Sequence, residues 1–153
     1  MKPCPKPSRR IKTLKELKDQ LGRQTRTVKA ANPLEEDEQH VVAHWLDAHG
    51  VLYQASAMGS FMHPATYMKA KKLGCKAGFP DLMVYDRPVM VENGKLYVGA
   101  AIEMKIRKGG IVSDEQTVWM MRLEERGWKC KIARGCDEAI AFLIECGYDQ
   151  PRG

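Results

Sequence analysis

Residues 81–106 read DLMVYDRPVMVENGKLYVGAAIEMKI, and this stretch decides the fold. Apolar runs lie on either side of Asn93-Gly94, the dipeptide of a tight hairpin turn whose two central residues need positive φ. The outgoing strand is read as Leu82–Asp86 continued by Val89–Glu92, and the return strand as Lys95 to about Ile106. Gly78-Phe79-Pro80 brings the chain sharply to Asp81, which opens the first strand. On the return strand Glu103 and Lys105 are two apart and share a face, while Ile102, Met104 and Ile106 share the other and point to a core. Pairing about the turn puts Asp81 and Glu103 at neighbouring levels, with Ala100 and Ala101 beside them leaving space.

Outward from this hairpin the pattern alternates between helix and strand. Asn32-Pro33 has the form of a cap followed by proline at the first helical position, and Glu35, Glu36, Asp37 and Glu38 crowd the first turns, where the helix dipole favours anions. A helix is expected over about 33–48, with Leu34, Val41, Val42, Trp45 and Leu46 inward and Gly50 as its stop. A strand at Val51–Ala55, a loop at 56–63 and a short helix from Pro64 to about Leu73 complete the first half. Beyond the hairpin, Ser113-Asp114-Glu115-Gln116 has the spacing of a capping box. The helix it opens has an apolar face of Val118, Trp119, Met121 and Leu123. A strand from Trp128 to Ala133 and a helix from Asp137 to Cys146 follow. This order suits an α/β/α layer structure with a mixed central sheet flanked by helices.

Composition sets the outer limits. The 153 residues carry a net charge of +6 and are 44% apolar, which describes one globular domain. No apolar run approaches the roughly 18 residues of a membrane span, and no apolar stretch follows the basic N-terminus as in a secretion signal. Five cysteines without a C-x-x-C pair argue against both a disulfide framework and a zinc site. The charge is divided unevenly: residues 1–29 hold ten Lys/Arg against two acids, and the remaining chain is about −2. Residues 1–31 are therefore read as a basic arm, with a short helix over about 8–20, and residues 32–150 as the domain.

Asp81, Glu103 and Lys105 carry the chemistry. Carboxylates converging from two strands suit a hard cation such as Mg²⁺, which takes oxygen ligands and keeps several waters. A lysine beside it can position an attacking water or stabilise charge developing on a phosphate. The plainer reading is a turn-capping aspartate and an exposed ion pair worth under ~1 kcal/mol. The flanks bear on that choice. They are Lys76-Ala77-Gly78-Phe79-Pro80-Asp81-Leu82, then Ile102-Glu103-Met104-Lys105 with Gly109-Gly110, then Ser113-Asp114-Glu115-Gln116 leading to Trp119 and Leu123, and the closing strand from Gly127 to Arg134.

In this order the residues resemble the PD-(D/E)xK nuclease superfamily and, within it, the virus-type replication-repair nuclease (VRR-NUC) family, over roughly residues 34–146. The resemblance implies a restriction-endonuclease-like core and a Mg²⁺- or Mn²⁺-dependent DNA phosphodiesterase. Asp81, Glu103 and the backbone carbonyl of Met104 would hold the metal, and Lys105 would be the catalytic lysine. An acid on the first helix would act through water or a second ion; Glu38 is chosen for that position, with Glu35 a turn away as the alternative. Small bacteriophage members of the family imply a homodimer acting on branched, Holliday-junction-like DNA in replication or repair, in the cytoplasm of a bacterial or phage-infected cell. Gln116 is divided evenly between capping and the site. Lys69, Lys71, Lys72, Lys76, Arg107 and Lys108 flank the motif and are read as phosphate contacts, against the alternative of a solvated surface. The rival functions are a non-cleaving DNA-binding or assembly module on the same scaffold and a sequence-specific restriction-type nuclease.

Overall fold

The computed structural model describes residues 33–56 and 63–150. The expectations for the basic arm, its short helix and the Asn32 cap lie outside these residues. In chain order the elements are α1 (Glu35–Ala48), β1 (Tyr53–Ala55), α2 (Pro64–Lys72), β2 (Leu82–Val84), β3 (Val91–Glu92), β4 (Lys95–Leu96), β5 (Gly99–Lys105), α3 (Asp114–Glu125), β6 (Trp128–Arg134) and α4 (Cys136–Glu145). The main sheet has the order β1-β2-β5-β6. Its first three strands pair antiparallel, and β5 pairs β6 in parallel over all seven residues through the α3 crossover. The α/β class and the mixed sheet between helices are as expected.

Strand alternation sorts the core into two layers. Leu82, Val84, Ile102 and Met104 meet Val42, Trp45 and Leu46 of α1 and Ile140 and Leu143 of α4 on one face. Met83 and Ala101 meet Leu123 of α3 on the other, with Phe79, Trp119, Trp128 and Cys130 packed around them. Every residue of β5 is buried, because both faces of this strand are covered. Glu103 and Lys105 therefore leave water with the strand that carries them. Ala100 and Ala101 are both fully buried, one in each layer, so they fill the core and do not open space at the site.

The hairpin differs from expectation. Asn93 and Gly94 do take positive φ, 50° and 77°, but they join only β3 and β4, a separate two-stranded ribbon. Pro88, which has no N–H to give a ladder, lies where the outgoing strand leaves the sheet. A continuous hairpin about the turn would set Val84 against Glu103; it pairs with Ala100 instead. Carried one residue past the Leu82–Ile102 pair, this register puts Asp81 opposite Glu103.

Two helix faces also differ. Leu34 is the cap of α1, without a side-chain bond, and is 61% exposed, whereas Glu38 turns inward with Val42, Trp45 and Leu46. On α3 Val118 and Met121 face outward, and Met120 and Leu123 are buried. Gln116 stands one and two turns before those two at helical spacing, so the capping residue lies on the inward side. Among the described residues no helix is long and apolar enough to cross a membrane.

Candidate active site

The loop between α2 and β2 delivers the first acid. Gly78 has φ +76°, and a Cβ placed there would lie 2.5 Å from the Glu115 carbonyl carbon and 2.7 Å from the Gln116 nitrogen. The loop is thus pressed against the first turn of α3 at a position only glycine can occupy. The Trp119 indole Nε1 donates to the Ala77 carbonyl at 3.0 Å, and Phe79 meets that indole edge-on at 5.1 Å. Gly78→Ala is expected to lose about 2–4 kcal/mol from the left-handed backbone and the overpacked contact together. Chemical denaturation checks this, and a midpoint equal to wild type would refute the close approach.

Asp81 is fixed at both ends. Its Oδ2 accepts from the Met104 N–H at 2.7 Å, and its backbone carbonyl accepts from the Ser56 N–H at 2.7 Å. Glu103, only 2% exposed, accepts at Oε1 from the Lys105 ammonium at 2.7 Å and from the Gln116 amide nitrogen. The Lys105 Nζ also donates to the Met104 carbonyl at 2.9 Å. Gln116 both closes the cap and bonds Glu103. Its Oε1 accepts from the Ser113 N–H at 2.9 Å, closing the capping box, while its Nε2 reaches Glu103.

Burial and nearby negative charge leave these acids reluctant to ionise. Burial first, and the neighbouring Asp81 charge second, push the Glu103 carboxyl up to about 7, against the opposing pull of Lys105. Burial likewise raises Asp81, opposed by the Met104 N–H and the Lys105 charge. Glu35 adds to the repulsion at both. A hollow of about 260 Å³ opens over this group, with Glu35, Lys76, Asp81, Glu103 and Gln116 in its walls.

Glu38 is placed outside the lining of the hollow. It is 3% exposed, and its Oε1 accepts from Arg107 Nε at 2.5 Å. Its Oε2 accepts from Arg107 Nη2 at 3.0 Å and from the Cys136 N–H at 2.7 Å. Burial would raise this carboxyl, but the Arg107 and Cys136 hydrogen bonds prevail and hold it below the usual range. Glu38 thus ties α1 to α4 and to the segment after β5, away from the hollow. Its spacing to Val42, Trp45 and Leu46 was the available signal, since it marks the core face of α1. Glu35, the alternative, is the helix-one acid that lines the hollow.

Arg107 is held beside it. Its Nη1 donates to Asp137 at 2.7 Å while Nε and Nη2 hold Glu38, so the guanidinium is committed within the fold instead of being presented to a phosphate. Lys69, Lys71 and Lys72 stand exposed on the last turn of α2, Lys76 stands on the rim of the hollow, and Lys108 is exposed after β5. Ser56 and Tyr67, which sequence patterning did not single out, also line the hollow.

The donors here fit a hard divalent cation. Glu103 Oε1 and the Met104 carbonyl already converge on one positive charge, the Lys105 ammonium, and the Asp81 carboxylate lies opposite. Among the described residues no group of three or more His, Cys, Asp and Glu side chains is placed to hold a metal. Two carboxylates and a carbonyl leave positions for water or substrate oxygens, as Mg²⁺ prefers.

The family model described as "VRR-NUC domain" matches residues 24–137, beginning inside the stretch read as an arm. A solved structure described as "VRR_NUC domain protein" is similar at 23% identity, with a TM-score of 0.57, over 77% of this chain and 89% of that one. None of the curated proteins matches.

Proposed function

The chain belongs to the VRR-NUC domain family, whose function is of nuclease type, and from that premise we propose that it hydrolyses DNA phosphodiester bonds with Mg²⁺, or Mn²⁺ in its place. The observation that carries this reading is the half-buried Asp81 at the level of the buried Glu103, with Lys105 bonded to the second acid and to the Met104 carbonyl. In this reading Asp81, Glu103 and the Met104 carbonyl hold the cation, within the PD-(D/E)xK superfamily pattern. The bound cation would polarise the scissile phosphate and lower the pKa of an attacking water. Lys105 then turns its ammonium to the phosphate as negative charge develops there. Gln116 fixes the Glu103 carboxylate through a bond anchored at its other end by the cap of α3, so little reorganisation is needed. Glu35 acts from the opposite wall, in the role first given to Glu38. Lys76 and the α2 lysines track the DNA backbone, and the basic arm adds salt-sensitive affinity. A homodimer acting on branched DNA in replication or repair is the extension we favour.

The pH dependence follows from Glu103. A carboxyl raised to about 7 keeps its proton in the fold at pH values where the unfolded chain has lost it. The group therefore costs stability as pH rises from the ordinary carboxyl value through about 7, and the cost is complete above that. A bound divalent cation offsets this cost. Mg²⁺ is expected to raise the melting temperature more at pH 8 than at pH 6, and cleavage to rise over the same interval. The decisive experiment offers matched duplex, flap, fork and four-way junction DNA with Mg²⁺, Mn²⁺ or EDTA. Metal-dependent cutting of branched DNA supports the proposal; binding of every substrate with no cutting under either metal would leave a non-cleaving module.

A further inference from the structure

A second hollow lies against the first. It has a volume of about 540 Å³ and runs between the end of β1, the last turn of α2 and Trp119 of α3. Ser56, Lys76 and Phe79 line both hollows, so the two share a rim. Their chemistry differs. The first gathers carboxylates, whereas the second is walled by the Trp119 indole, the Phe79 ring, Ala55 and Leu73. The indole does not swing freely, since its N–H is held by the Ala77 carbonyl and its ring by the edge of Phe79. No step of the hydrolysis uses this wall. Above it α2 carries Lys69, Lys71 and Lys72 and no acid. Fixed aromatic surface beside cations is how single-stranded nucleic acid is held, bases on rings and phosphates on lysines.

We propose that this cleft receives one nucleobase of the DNA strand under attack, the base next to the scissile phosphate, drawn out of its stack and laid against Trp119. The proposal rests on the nuclease reading and deepens it. A base has apolar faces and a polar edge, and Gln54 and Ser56 at the β1 end, with Lys76 on the shared rim, supply polar groups beside the apolar walls. Matched duplex must break a pair and a stack to fill the cleft, whereas a mismatch, flap base or branch point delivers a base already loose. Selection for branched DNA then comes from local unpairing at one nucleotide and needs no reading of sequence. The competing occupant is an apolar side chain from a second copy.

The test places 2-aminopurine, unpaired, at each nucleotide flanking the scissile bond, with Ca²⁺ replacing Mg²⁺ to keep the DNA uncut. Wild-type protein is expected to quench one flanking position, and Trp119→Leu to quench neither. Under Mg²⁺, wild type should cut the unpaired substrate about tenfold or more faster than matched duplex, as loss of one stacking contact implies. That ratio falls toward one in Trp119→Leu and also in Leu73→Asp, a rim position 77% exposed where folding is not at stake. Absence of quenching at every position, or an unchanged ratio in both variants, overturns the proposal. So does concentration-dependent protection of the exposed Cys75 thiol from alkylation without DNA, which assigns the cleft to a second copy. If wild type cuts no DNA at all, the nuclease reading fails, while quenching by uncut DNA still decides the cleft.

Discussion

Asp81→Asn will leave the protein folded and slow metal-dependent cleavage by about 10³-fold or more, the scale on which a single electrostatic contributor to phosphoryl or acyl chemistry acts. The amide keeps an oxygen for the Met104 N–H, which Asp81 now satisfies at 2.7 Å, so the loop remains anchored. What is lost is the charge. That charge is also the second cause of the raised Glu103 carboxyl, after burial. Its removal therefore lets Glu103 ionise at lower pH, and the variant should melt higher than wild type at pH 8 and close to it at pH 5. Single-turnover cleavage of a four-way junction and melting at the two pH values check both halves. Activity within tenfold of wild type would remove Asp81 from the chemistry.

Glu38→Ala should be the most damaging substitution to stability, with little meaning for the chemistry itself. It removes a buried carboxylate that accepts three hydrogen bonds, two from Arg107 and one from the Cys136 N–H at the start of α4. Breaking a buried pair from one side costs about 3–5 kcal/mol, because the partner stays behind unpaired. The Arg107 side chain is 35% exposed and retains Asp137, which puts the expected loss near the lower end, about 3 kcal/mol. In a domain of this size that lowers the melting temperature by roughly 10 °C. Glu35→Ala, one turn earlier on the same helix where the side chain lines the hollow and accepts no such network, should change melting little and reduce cleavage. Equal stability losses in the two variants would show that the division between the acids is mistaken.

The fold was readable where one physical rule dominated. Period-two alternation identified β5 and the inward direction of Ile102 and Met104, and the cap at Ser113 fixed where α3 starts. The shared level of Asp81 and Glu103 emerged despite a wrong pairing register, because Pro88 diverts the chain into a ribbon that local turn chemistry does not foresee. The pairing of Glu38 with Arg107 was not legible for a related reason. Acids in a first helical turn look alike to the dipole, and only tertiary packing decides which is buried and which faces a cavity. Gln116 was legible in part: its capping spacing is local, whereas its bond to Glu103 depends on α3 lying against the sheet. The cleft beside Trp119 had no local signal, since its walls come from β1, α2 and α3 together.

The bond from the Cys136 N–H to Glu38 spans 98 positions of sequence. During synthesis the first helix emerges well before Arg107, and longer still before Cys136, the two residues that satisfy its buried acid. Docking of α1 by Val42, Trp45 and Leu46 thus encloses a carboxylate whose last hydrogen bond waits for the start of α4, so the first helix and the last are secured together.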